Sequence, residues 1–491
     1  MHFDPRSLDR PAGMFVGGML TDASGDAFVI SCPSDPDLKL PVRMATRDDM
    51  DRAVETCRAA LKSSGWGRMG PRPRAEILNR WADLVDAHAG EIAALEALAS
   101  SRPYTEVMTR DVKIVSLALR MFSAYADTHE SVVTATPSSQ FSYTRDEPYG
   151  VVAAISPWNF PIILSAWKFA PALAAGNGVV LKPSEFTPFG VLRIAALARE
   201  AGLPDGLFNV VLGDGQVGQT LVRHPGVDYV TFTGSSRTGA LIMADAAQHG
   251  LKPVSLELGG KGPQVVFDDA SDLDKIADLV ARGVTYNSGQ ACFSGSRLIV
   301  QSGVKDALLD KIAARMAQVR AGATWEAGVT LPPVINEAQL NRMAGIVDAS
   351  VAEGGKLVMG GHVMDGRQRH FEPTILDGIG ADNIAFREEI FGPVLSVDTF
   401  TTFDEAIAKA NHPDYGLTAS VWTRDIDAAL SASQRIESGT VWINHWGRAM
   451  DMTSPFGGVK RSGIGKDMGR QGYGKYLKSK AVWVEIGEPA A

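Results

Sequence analysis

The feature that most constrains this chain is an alternation of short β-rich runs with helical patterns, which begins at Tyr149. Strands that alternate with helices indicate βαβ units, in which helices cover both faces of a parallel sheet. Pro188 and Gly202 mark the start and the end of one of these helices. A first α/β lobe is therefore predicted. Its strands are expected at Val151–Ile155, Val179–Leu181, Phe208–Leu212, Tyr229–Thr233, Val254–Leu258 and Gln264–Phe267, and its clearest helices at Thr187–Ala201 and Ser236–Gln248.

A second alternating block runs from Leu273 to about Asn444 and predicts a second α/β lobe. Two such lobes in one chain leave a cleft between them, and clefts of this kind are a usual place for a ligand. Helices are expected near 273–286, 304–320, 337–353, 403–411 and 425–436, and strands at Leu298–Gln301, Val394–Thr399, Thr418–Trp422 and Thr440–Ile443.

Composition excludes several classes of function. The 491 residues carry 48 basic and 56 acidic side chains, a net charge of −8, so nucleic acid is not expected as a partner. Three cysteines cannot form a disulfide framework, which favours a reducing compartment. No secretory signal is recognised at the N-terminus, and no apolar run reaches the roughly 18 residues that a membrane span needs. We expect a cytoplasmic protein with no membrane partner.

Two segments belong to neither lobe. Ser131–Arg145 alternates apolar with Ser and Thr residues and predicts a strand or hairpin, and Ala481–Ile486 predicts a terminal strand. Such strands leave unpaired edges, which a second subunit can cover. Pairing within the monomer explains the same pattern equally well.

Nucleotide signals lie at the ends of several predicted strands. Gly213–Gly218 matches G-x-G-x-x-G, with Gly215 at its centre, but no acidic residue ends the next strand as a Rossmann fingerprint requires. Thr233-Gly234-Ser235 joins a strand to a helix and suits either a phosphate or an ordinary helix cap. Lys182 and Glu185 follow another strand, where the carboxylate could accept two ribose hydroxyls. Together these features favour a dinucleotide.

Three residues are candidates for the chemistry. Cys292 follows a glycine at the end of a helical segment, whereas most lone cysteines are inert and buried. Glu257 interrupts an apolar strand, so it is either paired, with Lys261 as the nearest partner, or held with a raised pKa for base chemistry. Asn159 lies between aromatic residues and prolines, where its amide could donate to an oxyanion or cap the following helix.

These pieces resemble, together and in order, the NAD(P)-dependent aldehyde dehydrogenase superfamily. The resemblance extends from about residue 15 to the C-terminus. The matching motifs are Pro157-Trp158-Asn159-Phe160-Pro161, Phe232-Thr233-Gly234-Ser235, Glu257-Leu258-Gly259-Gly260-Lys261, Asn287 to Cys292 with Arg297, Glu388-Glu389-Ile390-Phe391-Gly392-Pro393 and Pro455-Phe456-Gly457-Gly458.

The resemblance implies a mechanism and a cofactor site. Cys292 would attack the aldehyde, Asn159 and the Cys292 N–H would hold the oxyanion, and Glu257 would activate the water that hydrolyses the thioester. We also expect Lys168 to be one of the catalytic residues. NAD is favoured over NADP because Glu185 would repel a 2′-phosphate, and no metal is expected. Implied cofactor contacts are Ile155, Trp158, Lys182, Glu185, Gly215, Ser235, Leu258, Glu389 and Phe391.

The implied fold has two Rossmann-like α/β lobes and a small β oligomerisation arm. The cofactor domain would comprise residues 1–127 and 148–258, and the catalytic domain residues 259–458. Residues 128–147 and 459–491 would form the arm and the C-terminal segment, giving a homodimer or homotetramer. Two rival functions are a CoA-acylating semialdehyde dehydrogenase and a Cys-dependent esterase.

The resemblance is weakest around the substrate. Many members carry Glu where this chain has Asp467, and the loop 445–454 matches no recognised subfamily. The resemblance implies a substrate funnel lined by the helix around 110–122, the segment after Asn159, the residues flanking Cys292 and the loop before Pro455. Its apolar walls would be Phe160, Ile163, Trp167 and Phe293. Arg448, or Arg110 and Lys113, could bind an anionic tail. We therefore expect a polar aldehyde, with an anionic tail favoured. The alternative is an amino-aldehyde held by Trp446 and Asp451.

Overall fold

A computed structural model describes residues 2–367, 369–447 and 450–487. Its strands are β1 (Met14–Val16), β2 (Met19–Thr21), β3 (Ala27–Ser31), β4 (Lys39–Arg43), β5 (Val133–Thr134), β6 (Gln140–Pro148), β7 (Val151–Ile155), β8 (Gly178–Lys182), β9 (Phe208–Val210), β10 (Tyr229–Thr233), β11 (Val254–Glu257), β12 (Pro263–Val266), β13 (Arg297–Gln301), β14 (Lys356–Met359), β15 (Thr374–Asp377), β16 (Val394–Phe400), β17 (Tyr415–Gly416), β18 (Thr418–Trp422), β19 (Thr440–Ile443), β20 (Val459–Lys460), β21 (Gly463–Ile464) and β22 (Leu477–Glu485).

The helices cover the sheets and include several short turns. They are α1 (Arg47–Ser64), α2 (Pro71–Ala87), α3 (Ala89–Ala99), α4 (Tyr104–Glu106), α5 (Val112–Asp127), α6 (Pro161–Ala174), α7 (Phe189–Glu200), α8 (Gly215–Arg223), α9 (Ser236–Gln248), α10 (Leu273–Thr285), α11 (Lys305–Met316), α12 (Glu337–Ala352), α13 (Ile384–Arg387), α14 (Phe403–Ala410), α15 (Ile426–Arg435) and α16 (Gly469–Gly474). A π-helical segment, Val107–Asp111, continues α4 into α5.

The first sheet has the order β2-β1-β9-β8-β7-β10-β11-β21 within the described residues. Strands β9, β8, β7, β10 and β11 run parallel, and β1 and β21 join their two ends antiparallel. Every residue of β7, β8 and β10 is buried, because helices pack on both faces. The predicted first α/β lobe is confirmed, but the strand expected at Gln264–Phe267 was assigned to the wrong lobe, because it forms β12 of the second sheet. The two-residue strand β21 shows that the C-terminal segment returns to this sheet beside Glu257.

The second sheet has the order β14-β15-β16-β13-β12-β18-β19, parallel except for β14. The predicted second α/β lobe is therefore confirmed, and β18 and β19 have the predicted bounds. Helix α11 ends at Met316, four residues before the end that we expected at residue 320.

A small third sheet contains the two orphan segments. Strands β5 and β6 form the expected hairpin, and β22 pairs along the whole length of β6 in the order β22-β6-β5. The terminal strand is thus paired within the monomer, yet the outer edge of β22 has no neighbour within the described residues. This three-stranded sheet is called the arm below.

The carboxyl ends of the parallel strands of the first sheet converge at one edge. Ile155, Lys182, Thr233 and Glu257 are the last residues of β7, β8, β10 and β11. Ligands of open α/β sheets bind outside this edge, where the strand ends leave a crevice. No helix within the described ranges is long and apolar enough to cross a membrane.

Candidate active site

Cys292 lies in a loop whose backbone is held in an uncommon conformation. After α10 the chain makes a short turn in which Asn287, Ser288 and Gly289 have φ angles of 51°, 54° and 72°. A Cβ at position 289 would lie 1.9 Å from the backbone oxygen of Gly392, so only glycine fits there. Two consecutive non-glycine residues with positive φ indicate a loop that its surroundings fix firmly, as is common at functional sites.

Buried amide side chains tie this loop to the segment that contains Asn159. Asn287 Nδ2 donates to the Asn159 carbonyl at 3.0 Å, and Asn159 Nδ2 donates to the Gln290 carbonyl at 3.0 Å. The side chain of Gln290 is held in turn by the Asn287 carbonyl and by the backbone N–H of Ile335, each at 3.0 Å. The Asn159 side chain does not cap α6. Its amide is hydrogen-bonded to the carbonyl of Gln290, which lies two residues before Cys292 in the sequence.

The Cys292 thiol is half-buried, whereas Cys32 and Cys57 are fully buried. Burial raises the pKa of the Cys292 thiol, and the nearby carboxylates of Glu389 and Glu257 raise it further. The backbone N–H groups of Phe293 and Cys292 act in the opposite direction. A Cβ at position 260 would lie 2.5 Å from the Cys292 carbonyl oxygen, so Gly260 allows the β11–β12 connection to approach the thiol loop.

Glu257 ends β11 with only 4% of its surface exposed, and neither carboxylate oxygen has a hydrogen-bond partner within the described residues. Burial raises the pKa of Glu257 well above its ordinary value, and the negative charge of Asp467 adds to the effect. Lys261 does not supply the structural pairing, because its Nζ also has no hydrogen-bond partner there. Of the two readings of Glu257, the geometry favours a carboxyl group held for base chemistry.

A buried ionic cluster lies behind Glu257. Lys168 Nζ, on α6, is 3.5 Å from Asp467 Oδ2 and donates to Thr231 at 3.4 Å. Lys475 forms a close ion pair with the other oxygen of Asp467 and donates to Ser255 at 2.9 Å. The two lysines keep the pKa of Asp467 low despite its burial, and both lower the pKa of Glu257. The short acid at 467 therefore reaches two cations at once.

Lys475 is a residue of this site that sequence reasoning missed. It lies in the turn after α16, among glycines and a tyrosine, and no local pattern distinguishes it from a surface lysine. Its contact with Ser255 on β11 depends on the return of the C-terminal segment to the first sheet.

The predicted ribose-binding residues lie together at the end of β8. Lys182 Nζ donates to the carbonyls of Pro183 at 3.0 Å and Gly213 at 2.5 Å, and it lies 3.7 Å from Glu185 Oε2. The Glu185 side chain remains 23% exposed, so its carboxylate faces the crevice with capacity to accept further hydrogen bonds. This arrangement suits two adjacent hydroxyl groups.

The two glycine-containing turns have different structures. Ser235 caps α9 by accepting from the Thr238 N–H at 3.2 Å, which is the ordinary role considered for it. Gly215 begins α8 after an Asp214 cap, and a Cβ there would meet no atom within 4 Å, so open space adjoins it. A Cβ at Gly218 would lie 3.5 Å from the Lys182 side chain. Gly218 therefore packs at ordinary contact distance from Lys182, whereas Gly215 adjoins open space.

The remaining predicted cofactor residues divide into two groups. Glu389 accepts the Gly260 N–H at 3.0 Å, and burial raises the pKa of its carboxyl group to about 7. Trp158 and Phe391 meet edge to face at 5.4 Å, beside this carboxyl. Ile155 and Leu258 instead belong to the apolar core of the first lobe.

Cys292 lines an open pocket, whose empty space, including the solvent at its mouth, is about 590 Å³. The predicted apolar walls Phe160, Ile163, Trp167 and Phe293 all line it, and Arg448 lies outside the described residues. Most of the remaining apolar wall comes from segments that the resemblance implied, although these residues were not singled out as substrate contacts. They are Ile114, Leu164, Met450, Met452, Phe456 and Met468.

The residues expected to bind a charged tail in this pocket either contact other protein groups or lie outside it. Arg110 lines the pocket, but its guanidinium lies 5.2 Å from the centre of the Tyr286 ring and donates to the Tyr286 hydroxyl in a short hydrogen bond. Lys113 lines a different hollow, together with Asp86 and Arg120. Trp446 packs behind Phe293, to whose carbonyl it donates at 3.3 Å. The proposed pairing of Trp446 with Asp451 around an amine therefore has no support in this geometry.

The fold and site define a class of protein: an α/β enzyme with a half-buried cysteine, an isolated buried carboxyl group and a crevice at the carboxyl edge of a parallel sheet. The model of the aldehyde dehydrogenase family matches residues 20–482. The chain belongs to the aldehyde dehydrogenase family.

Solved structures agree closely with this assignment. The γ-glutamyl-γ-aminobutyraldehyde dehydrogenase of Burkholderia cenocepacia J2315 is 40% identical, with a TM-score of 0.96 and 98% of each chain covered. A mutant of the indole-3-acetaldehyde dehydrogenase AldA of P. syringae, in complex with NAD⁺ and IAA, is 38% identical at the same TM-score and coverage. The aldehyde dehydrogenase KauB from Pseudomonas aeruginosa is also 38% identical, with a TM-score of 0.96 and 98% of each chain covered.

Proposed function

We propose that this protein oxidises an aldehyde to the free carboxylic acid, with NAD as the hydride acceptor and Cys292 as the nucleophile. The observation that carries the proposal is that Asn159 and Glu257 both lie close to the loop that contains Cys292. Asn159 is hydrogen-bonded into the loop that holds Cys292, while the carboxyl group of Glu257, close enough to raise the thiol pKa, has no hydrogen-bond partner of its own. A nucleophile, an oxyanion donor and a base are thereby brought together.

In the first half of the reaction, the Cys292 thiol releases its proton to solvent, and its sulfur attacks the aldehyde carbon as the carbonyl π bond breaks, so that a thiohemiacetal oxyanion forms. The developing oxyanion takes hydrogen bonds from the Asn159 amide and from the Cys292 backbone N–H, two donors that the loop holds in place before the reaction begins. One N–H of the Asn159 amide is already used by Gln290, which fixes the orientation of the other. When bound, NAD supplies the acceptor for the hydride that leaves the thiohemiacetal carbon, so that a thioester remains on Cys292.

The residues present fit a dinucleotide. Glu185 and Lys182 would hold the adenosine ribose, the open surface at Gly215 would admit the phosphates, and Glu389 would accept hydrogen bonds from the second ribose beside Trp158 and Phe391. Structurally similar dehydrogenases, among them indole-3-acetaldehyde dehydrogenase and the betaine aldehyde dehydrogenase of Staphylococcus aureus, form complexes with NAD⁺, which supports the same choice.

In the second half, Glu257 removes a proton from the water that hydrolyses the thioester. Burial raises the pKa of this unpaired carboxyl group, which makes its ionised form a stronger base than an ordinary carboxylate. A Cβ at position 457 would lie 2.4 Å from Glu257 Oε1, so Gly457 leaves room beside the carboxyl group. Lys168 stabilises the charged form of Glu257 from behind without a direct hydrogen bond.

NAD is expected to be preferred over NADP by a factor of about 10 to 1,000 in kcat/KM, because the Glu185 carboxylate repels a 2′-phosphate while Lys182 offsets part of that repulsion. Glu185→Gln removes the repulsion and keeps a hydrogen-bonding group. The variant should use NADP roughly tenfold better relative to NAD. Initial rates with both cofactors measure this ratio.

Glu200→Gln is the matched control. Glu200 lies at the end of α7, pairs with Arg193 at 3.1 Å and is remote from the ribose-binding residues. The control should keep the original ratio. Comparable kcat/KM for both cofactors in the unaltered protein would contradict the role given to Glu185.

The protein is a homodimer or homotetramer whose subunits meet at the arm. Support comes from the outer edge of β22, which is unpaired within the described residues, and from exposed apolar residues of the arm, with Trp483 on β22 64% and Val133 on β5 65% exposed. Trp483→Ser should lower the mass measured by light scattering, since it removes apolar surface that a second subunit would cover. Ile426→Ser, equally exposed on α15 at 63%, is the control that should leave the mass unchanged. A single-subunit mass for the unaltered protein would exclude this assembly.

The proposal also includes a cytoplasmic location and a division into a cofactor domain (1–127 and 148–258), a catalytic domain (259–458) and the arm with the C-terminal segment (128–147 and 459–491). The two main sheets and the arm follow that division apart from β21. The three unpaired cysteines suit a reducing compartment.

A further inference from the structure

We propose that the aldehyde has an uncharged, apolar tail and that an aromatic ring is the favoured form. The inference rests on the proposed function and specifies its substrate class. Its basis is the wall of the pocket beside Cys292, which α5, α6, Phe293 and the segment 450–456 build together. Ile114, Phe160, Ile163 and Leu164 contribute side chains to this wall although each is at most 6% exposed.

Aromatic rings form much of the wall. Phe160 and Phe293 lie nearly parallel, with ring centres 6.0 Å apart and an angle of 27° between their planes. Trp167 and Phe456 meet at 60° with centres 5.8 Å apart. A pocket that presents both ring faces and ring edges can contact a further ring by offset stacking and edge-to-face packing.

The two charged residues of the described wall do not offer a site for a charged tail. Arg110 stacks on Tyr286 and donates to its hydroxyl. Asp451 accepts hydrogen bonds from the Thr453 backbone and hydroxyl at 2.8 and 2.6 Å and from the Ser454 hydroxyl at 2.5 Å. A carboxylate or ammonium group deeper in the pocket would meet Ile163 and Leu164 and lose its hydration without compensation.

Methionines give this wall some adaptability. Met450, Met452 and Met468 line the pocket, and their unbranched side chains can adjust to tails of different shape. Their sulfur atoms also make favourable contacts with aromatic rings. We therefore expect the pocket to accept aliphatic tails as well, but with lower efficiency than aromatic ones.

The test compares four aldehydes by kcat/KM with NAD: phenylacetaldehyde, hexanal, succinic semialdehyde and 4-aminobutyraldehyde. Phenylacetaldehyde should rank first and hexanal second, and phenylacetaldehyde should exceed both charged aldehydes by about tenfold or more. A charged aldehyde that ranks first would overturn the inference while leaving the proposed function intact. If none of these aldehydes, nor acetaldehyde, yields NADH, the proposed function itself fails.

Ile114→Lys places a cation in the wall and should shift the ratio of succinic semialdehyde to phenylacetaldehyde by about tenfold towards the anion. Leu117→Lys is the matched control on the same helix, because Leu117 lines the neighbouring hollow and not this pocket. The control should keep the ratio of the unaltered protein. An equal shift in both variants would mean that the pocket wall does not select the substrate.

Trp167→Leu keeps the wall apolar and serves if a buried lysine prevents folding. Loss of the ring should reduce the preference for phenylacetaldehyde over hexanal by roughly two- to tenfold, mainly through KM. An unchanged preference would remove the aromatic part of the inference. Arg448→Ala adds a separate check: if succinic semialdehyde ranks first and loses that rank in this variant, a charged group at residue 448 selects the substrate and the inference is wrong.

Discussion

Cys292→Ala is expected to abolish aldehyde-dependent NADH formation, with a loss of about 10⁴-fold or more in kcat. The reason is chemical: without the sulfur no thiohemiacetal forms, and an unactivated aldehyde does not surrender hydride. The fold should remain intact, because the loop geometry depends on the amide network of Asn159, Asn287 and Gln290 and not on the thiol. Absorbance at 340 nm measures activity, and thermal unfolding checks the fold.

Cys57→Ala is the matched control, since Cys57 is fully buried in α1 and its Sγ is 3.8 Å from the Leu207 carbonyl oxygen. This variant should lose some stability through the small cavity that it creates and should keep its turnover. Alkylation of the unaltered enzyme by iodoacetamide should modify Cys292 before the two buried cysteines. Residual NADH formation in Cys292→Ala at the unaltered rate would eliminate the proposed nucleophile.

Local patterns were sufficient to predict much of the fold. Strand β10 and helix α9 have the predicted bounds, because the strand is a short buried run and Ser235 caps the helix that follows. The hairpin of the arm was likewise predicted from alternating residues between 131 and 145. These elements depend on interactions within a few residues, and such interactions are visible in a sequence.

Features that depend on distant segments could not be predicted in this way. Strand β21 has only two residues and exists because β11 pairs with it. Whether Glu257 is paired with Lys261 also depends on the fold, and spacing alone left that question open. The left-handed turn at Asn287–Gly289 packs against Gly392, which approaches Gly289 from more than one hundred residues away along the chain.

The candidate site shows the same division. Cys292, Glu257 and Asn159 were singled out because each residue is unusual in its local setting. The partners that set their properties were not, since Lys475 approaches Ser255 and Glu257 only through the tertiary fold. The side chain of Arg110 donates to Tyr286 for the same reason, and this contact is one basis for proposing an apolar aldehyde in place of a charged one.

Glu257→Gln is expected to separate the two halves of the reaction. The variant should still produce a first-turnover burst of NADH, because attack by Cys292 and hydride loss do not require a base at position 257. Its steady-state rate should fall by about 10²- to 10⁴-fold, the usual contribution of a general base. Stopped-flow absorbance at 340 nm measures both phases, and the burst should approach one NADH per Cys292.

The pH dependence adds a second readout. Because burial raises the pKa of Glu257, its base form is lost as the pH falls through that raised value, well above the range of an ordinary carboxyl group. In the unaltered enzyme the steady-state rate should therefore decline on the acidic side of its optimum, and Glu257→Gln should lack that decline in its residual hydrolysis. Full steady-state turnover in the variant would rule out the assigned base.

Adding coenzyme A to Glu257→Gln and to the unaltered enzyme tests the alternative that the protein is a CoA-acylating dehydrogenase. A thiol can cleave the thioester with less help from a base than water needs, because its pKa lies far lower. If CoA restores turnover and acyl-CoA accumulates with the unaltered enzyme as well, the protein is a CoA-acylating dehydrogenase. We expect the free acid as the only product, since the unpaired carboxyl group of Glu257 is suited to activating water and would have little use in thiolysis.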